Sequence, residues 1–230
     1  MELDFAGKKL VVIGGTSGIG KAVASLVLSN GGSALLVGRH EAKTREAILE
    51  LRSRGEVSGW TVDITNGAGR ANLIDHLNAK HMDATLLVNA AGVFAPKPFL
   101  EHTEPDYDRY LDINRALFFI TQCVAKNMVA GKRGGSIVNI GSMWARQAVQ
   151  ATPSSAYSMA KAGLHAFTQH LALELAKAGI RVNAVSPAVV NTPMPKTTLL
   201  QELRLSRSSR RRMTSSATQV RMIDPSRPKA

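Results

Sequence analysis

The sequence predicts an α/β fold, a doubly wound parallel sheet in a single domain. Three observations carry that expectation. Short apolar runs alternate with longer helical patterns from residue 9 to residue 185, the order that βαβ units produce. The runs are apolar at almost every position, as in Lys9-Leu10-Val11-Val12-Ile13, which suits strands covered on both faces. A glycine-rich turn, Gly14-Gly15-Thr16-Ser17-Gly18-Ile19-Gly20, joins the first strand to the first helix.

Composition narrows the class. At 230 residues with 44% hydrophobic and 20% charged content, the chain can bury a full core without staples. The N-terminus, Met1-Glu2-Leu3-Asp4-Phe5, has no basic segment followed by an apolar one, so no signal peptide is expected. No apolar run has the length of a membrane span. The single cysteine, Cys123, excludes an internal disulfide, sits in an apolar helical pattern and points to the cytoplasm. Net charge is +12, but residues 204–230 hold seven Arg, one Lys and one Asp, so +7 belongs to the tail. A basic chain suggests a nucleic-acid partner; that concentration in the tail argues against one for the folded part.

The first strand is Lys9–Ile13, and a helical pattern runs from Lys21 to Asn30. A strand, a glycine turn and a helix together place a pyrophosphate on a helix N-terminus, and glycines let the backbone approach it. Gly14-x3-Gly18-x-Gly20 differs from the commoner G-x-G-x-x-G, and a plain tight turn is the competing reading. A second strand, Ser33–Val37, leads to Gly38-Arg39-His40. An acid near this point holds the ribose of NAD, whereas an Arg accommodates the 2′-phosphate of NADP; Arg39 is either that group or a surface residue. Glu41–Arg54 is helical, and Val57–Asp63 is a third strand. At its end, beside Ile64, Asp63 either reaches an adenine or caps the helix Gly67–Lys80. Ala84–Val88 is the fourth strand, closed by Asn89-Ala90-Ala91-Gly92, whose small residues allow a ligand to lie across the strand end.

A long helix is expected from Glu104 to Ala130 and contains Asn114, followed by a fifth strand, Ser136–Ile140. Ser142 lies just past that strand. A helix then runs from Ser154, a good N-cap residue, to Ala178, before a sixth strand, Ile180–Val185. Tyr157 and Lys161 stand four apart on one face of that helix. They are either a solvated pair or a phenol whose pKa an ammonium lowers into the working range of a proton donor. Ser142 would offer a second hydroxyl to the same reacting oxygen. All these features lie at the carboxyl ends of the strands, where parallel sheets bind ligands.

Taken together, residues 5 to 195 resemble the short-chain dehydrogenase/reductase family. Its T-G-x3-G-x-G turn corresponds to Ile13-Gly14-x3-Gly18-Ile19-Gly20, and its N-N-A-G to Asn89-Ala90-Ala91-Gly92. Its strand-five serine corresponds to Ser142, its helix asparagine to Asn114, and its Y-x3-K to Tyr157 and Lys161. The resemblance implies a Rossmann-type fold with Tyr157 as general acid, Ser142 orienting the substrate oxygen and Asn114 positioning a water. Lys161 would bind the nicotinamide ribose and lower the tyrosine pKa. It also implies cofactor contacts from Gly14, Thr16, Ser17, Gly18, Ile19 and Gly20, and from Asp63, Ile64 and Asn89 to Gly92. Tyr157, Lys161, Pro187, Val190 and Thr192 would contribute as well, the last two at the carboxamide. With Arg39, the expected cofactor is NADP(H) rather than NAD(H). The substrate would be a small carbonyl compound or alcohol, and the protein a homodimer paired through its long helices, with neither nucleic acid nor membrane as partner.

Two positions and one spacing depart from the family pattern: Ile13 replaces Thr, Ala188 replaces the Gly after Pro187, and the Ser142–Tyr157 segment is slightly long. The larger departure is terminal. Members continue into a substrate-covering helix and a seventh strand, whereas Arg204 to Arg212 opens a Ser/Arg-rich run without strand patterning. The expectation is a catalytic domain over 1–199 without the usual last strand, and a disordered basic tail over 200–230. Two readings compete with an NADP(H)-dependent carbonyl reductase: a cofactor-binding protein without turnover, its substrate pocket incomplete, and a nucleic-acid binder acting through the tail.

Overall fold

A computed structural model describes residues 3–148, 152–188, 190 and 192. Its centre is a six-stranded parallel sheet: β1 Lys9–Ile13, β2 Ser33–Gly38, β3 Val57–Thr61, β4 Leu86–Asn89, β5 Gly135–Ile140 and β6 Ile180–Val185. The spatial order is β3-β2-β1-β4-β5-β6. The chain starts mid-sheet, winds outward, then returns to the middle, leaving a switch point between β1 and β4 where such sheets open a crevice.

Five helices cross between the strands: α1 Gly18–Ser29, α2 Glu41–Leu51, α3 Gly67–Lys80, α4 Glu104–Ala130 and α5 Ser155–Leu175. Alternate residues of β1 face opposite ways, as pleating requires. Val11 and Ile13 join a core with Leu73 and Leu77 of α3, and Ile120, Val124 and Met128 of α4. Leu10 and Val12 join another with Ala24, Val27 and Leu28 of α1 and Ala47 of α2. Both faces are therefore dry, which is why the strands read as unbroken apolar runs.

Local chemistry fixes the element ends. Asn66 caps α3 by accepting from the Ala68 and Gly69 amides, so Asp63 is not the cap; its carboxylate accepts from the Thr65 amide and hydroxyl instead. At the start of α4, Asp106 accepts from the Thr103 amide and hydroxyl. Ser154 precedes α5 as expected, yet its side chain makes no capping bond. Helix α1 begins at Gly18, inside the glycine turn and three residues before the apolar pattern suggested. The last expected helix ends as a 3-10 turn at Ala176–Ala178, stopped by Gly179 in the left-handed region at φ +71°.

Register brings the strand ends level. Ile13 pairs with both Val37 and Asn89, and Asn89 with Asn139. The turns after β1, β2, β4, β5 and β6 therefore open on one edge. The absent seventh strand and the basic tail were expected within residues 193–230, outside the described residues.

A buried polar ladder runs through this core. Asn89 donates to Asn139 Oδ1 and Thr121 Oγ1, both at 2.8 Å. Asn139 donates to Thr168 Oγ1 at 2.9 Å, and Thr168 donates to the Leu164 carbonyl at 2.7 Å. Thr168→Val keeps the shape but strands the Asn139 amide, at a cost of roughly 1–3 kcal/mol. The thermal midpoint should fall by roughly 3–10 °C. An unchanged midpoint would show that Asn139 does not depend on Thr168.

Candidate active site

The glycine turn is built for close approach. Gly14 has φ +85°, and a Cβ there would stand 2.6 Å from the Ala91 amide nitrogen. A Cβ on Gly20 would collide with the Gly14 carbonyl oxygen. The turn, the start of α1 and Ala90-Ala91 thus pack backbone against backbone. The N-terminus of α1 has no side-chain cap from Ser17 and no acid in its first turn. Its amides are available to an anion, which fits a dinucleotide pyrophosphate. Thr16 packs over Gly38 at the end of β2. Thr192 approaches Gly18, at 3.2 Å from where a Cβ would stand. Gly18, Ile19, Ala22, Val190 and Thr192 line a cavity of about 390 Å³.

Arg39 and Asp63 follow β2 and β3 on the same edge. The Thr65 hydroxyl holds the Asp63 carboxyl below its usual range against a burial penalty, and the Arg39 charge adds to the effect. The side chains of Asn89 and Ile64 face inward: Asn89 is fully buried in the polar ladder and Ile64 lies in the core. At those two positions only backbone is left for a ligand.

Around Tyr157 the sheet edge and two helices meet. Lys161 is 9% exposed, and its Nζ donates to the Ile140 carbonyl at 2.7 Å. The same Nζ lies 3.9 Å from where a Cβ on Gly92 would stand and 5.8 Å from the Tyr157 ring centre. Ser142 is buried, its Oγ accepting from the Trp144 amide at 3.3 Å. Asn114 on α4 donates to the Ala160 carbonyl at 2.8 Å, which joins the two long helices within one turn of Lys161. Pro187 enters through its carbonyl, which accepts from the Met143 amide at 3.2 Å. The structure thus brings Asn114, Ser142, Tyr157 and Lys161 together beside Gly92, as the motifs suggested.

The electrostatics differ from expectation. Burial pushes the Tyr157 phenol above its ordinary value, the Ser142 hydroxyl offsets part of that, and Tyr110 adds to the rise. The expected lowering by Lys161 is not found, because the ammonium is directed at the Ile140 carbonyl and the phenol is enclosed. Burial also lowers Lys161, to about 8.

Sequence reasoning missed the wall around the tyrosine. Phe94 meets the Tyr157 ring edge-on at 4.9 Å, and Tyr110 does so at 5.7 Å. Trp144 packs on Phe94 at 5.4 Å. The Tyr110 hydroxyl donates to the Ala95 carbonyl and accepts from the Ala95 amide, pinning the loop after β4. Aromatics are sparse in this chain, at 5%, and three of them flanking the motif residues was the available signal. No group of three or more potential metal ligands occurs among the described residues.

A profile of the short chain dehydrogenases matches residues 8–203. The chain belongs to this family. Among curated short-chain dehydrogenase relatives, it is 33% identical over 196 residues to a 3-oxoacyl-[acyl-carrier-protein] reductase of Chlamydia pneumoniae, covering 84% of this chain and 78% of the relative. It is 36% identical to a galactitol 2-dehydrogenase of Rhizobium johnstonii, covering 82% and 74%. The fold superposes on L-sorbose reductase from Gluconobacter frateurii, complexed with NADPH and L-sorbose, at a TM-score of 0.80 and 27% identity, over 93% and 81% of the two chains. This short-chain dehydrogenase is an oxidoreductase using a nicotinamide dinucleotide, and none of its described helices is long and apolar enough to cross a membrane.

The depressed Lys161 pKa has a readable consequence. A lysine near 8 when folded and 10.5 when unfolded disfavours the folded state below pH 8, and the penalty is relieved as pH rises from 8 toward 10.5. Parent stability should therefore gain on that of Lys161→Met between pH 8 and 10, measured as thermal midpoints. A constant difference would mean that the ammonium is not desolvated.

Proposed function

We propose that the protein is an NADP(H)-dependent oxidoreductase interconverting a secondary alcohol and a ketone, with Tyr157 as general acid and base. The observation that carries this reading is the meeting of Tyr157, Lys161, Ser142 and Asn114 at the strand edge that also holds the uncapped α1 turn. Gly14 to Gly20 and Ala90 to Gly92 fit the dinucleotide backbone, Asp63 the adenine side, and Pro187, Val190 and Thr192 the nicotinamide side. When bound, the nicotinamide supplies or accepts hydride at the substrate carbon. Tyr157 gives a proton to the carbonyl oxygen, which Ser142 orients. A phenol held above its ordinary pKa is fully protonated at neutral pH, suited to reduction; the reverse reaction needs the phenolate and is favoured by alkali. Lys161 keeps a positive charge next to that exchange and Asn114, its amide nitrogen spent on Ala160, offers its oxygen to a relay water.

Arg39 supports NADP(H), since it stands exposed at the end of β2 with no acid in its place. The relative with NADPH bound, L-sorbose reductase, agrees with this reading. Phe118 rests against Phe167 across α4 and α5 at 5.2 Å, with Phe119 edge-on to Phe118, and both α4 rings are over 40% exposed. That apolar face supports a homodimer through the long helices. A single cysteine and the absence of a spanning helix among the described residues support a cytoplasmic location.

Tyr157→Phe removes the proton donor and leaves the aromatic wall. Carbonyl reduction should lose ~10²–10⁴ in kcat, with NADPH binding nearly unchanged. Full turnover by this variant would overturn the mechanism.

Arg39→Asp should reverse cofactor preference, read as kcat/KM for NADPH over that for NADH. A parent ratio near one would remove Arg39 from that role.

A further inference from the structure

His165 lies one helical turn beyond Lys161 on α5, and the proposed chemistry leaves it unused. Its Nε2 is 2.8 Å from the Ser186 hydroxyl, the first residue after β6. The ring lies over the β5 exit: a Cβ on Gly141 would stand 2.6 Å from the same nitrogen, and 3.2 Å from Ser186 Oγ. Two backbone bonds extend the parallel ladder past the sheet here. Gly141 donates to the Val185 carbonyl at 2.7 Å, and Met143 to the Pro187 carbonyl at 3.2 Å. Ser142 stands between those two donors, so the loop carrying the candidate catalytic serine and the loop after β6 are zipped together. His165 is the side chain that fastens this zipper to the helix of Tyr157 and Lys161.

A serine against an imidazole also describes a nucleophile and its base. The surroundings exclude it: burial first, then the Arg146 and Lys161 charges, hold the imidazole below its ordinary value, with no carboxylate acting on it. A base needs an orienting partner that can stabilise its cation, and here the charged neighbours are cations. The neutral ring is the stable form, and a hydroxyl bonds to it in either tautomer.

We infer that His165 is a positioning residue, clamping Ser186 so that the segment bearing Pro187, Val190 and Thr192 is held at a fixed distance from Ser142 and Lys161. This rests on the reading of that segment as the nicotinamide side of the site. The clamp lets one helix set both halves of the reaction geometry, the proton-donating face through Tyr157 and the cofactor face through Ser186. Gly141 is part of the device, since any side chain there would displace the ring.

The test uses the full chain and NADPH alone, with binding read from nicotinamide fluorescence. His165→Leu keeps bulk without the hydrogen bond, Ser186→Ala removes its partner, and His165→Gln keeps a polar group within reach. The two deletions should each raise the NADPH Kd by about 2–12-fold, the range of one net hydrogen bond. The double variant should be no weaker than the weaker single one, since both remove the same interaction. His165→Gln should restore most of the affinity, which a purely structural role would not predict. Amide exchange at Met143 should quicken in both deletions, because its acceptor, the Pro187 carbonyl, sits on the freed loop. Unchanged Kd in Ser186→Ala, or strictly additive effects, would overturn the clamp. Should the parent bind neither NADPH nor NADH, the proposed function falls, and Met143 exchange alone decides: quickened exchange upholds the clamp and unchanged exchange rejects it.

Discussion

The hydrogen bonds from Asn89 to Asn139 and onward to Thr168 are the constraint on which the site geometry depends. They lie among the apolar side chains of the core, where a buried polar group left without a partner carries its full desolvation cost. Asn89 and Asn139 are paired residues of adjacent strands, and slipping that register would strand both amides. Thr121 attaches α4 to the ladder and Thr168 attaches α5. The two helices that carry Asn114 and Tyr157 are thereby fixed to the strands that carry Gly92 and Ser142. A pair of asparagines in an oily core sets the spacing of a site to which neither contributes a side chain.

The chemistry follows from how tightly that framework closes. Lys161 is drawn into a nearly dry position, satisfied by the Ile140 carbonyl, and burial lowers its pKa while raising that of Tyr157. These shifts run in opposite senses for one reason: removing water disfavours the charged form of each group. An ammonium beside a phenol therefore does not by itself yield a phenolate. The enclosure by Phe94, Tyr110 and Trp144 that screens the phenol from water outweighs the attraction that a helical spacing of four suggests.

The dinucleotide side depends on close packing. Gly14, Gly20 and Ala90-Ala91 bring three pieces of backbone into contact, and the first turn of α1 keeps its amides free of any side-chain cap. Two other helices have their starts satisfied by side chains, Asn66 for α3 and Asp106 for α4. Leaving α1 uncapped keeps an anion site in place at some cost in helix stability.

The sequence alone determined the fold class, the order of strands and helices and the motif residues at the strand ends. Those are local signals: apolar runs, glycine spacing and helical periodicity act within a few residues. Asn114, Ser142, Tyr157 and Lys161 were legible because their spacing matched a family, and the structure brings them to one place. Long-range packing decided the rest. Helix α1 begins earlier than its apolar pattern because the last residues of the glycine turn, Gly18 to Gly20, already belong to it. Asp63 folds back on Thr65 because Asn66 holds the cap. The side-chain pairs of the aromatic wall and of the buried ladder join residues 29 to 63 positions apart, and the contact between His165 and Ser186 spans 21. No periodicity encodes such contacts. They exist because a twisted parallel sheet brings separate turns to one edge, and only burial there decides which polar groups pair and which way their pKa values move.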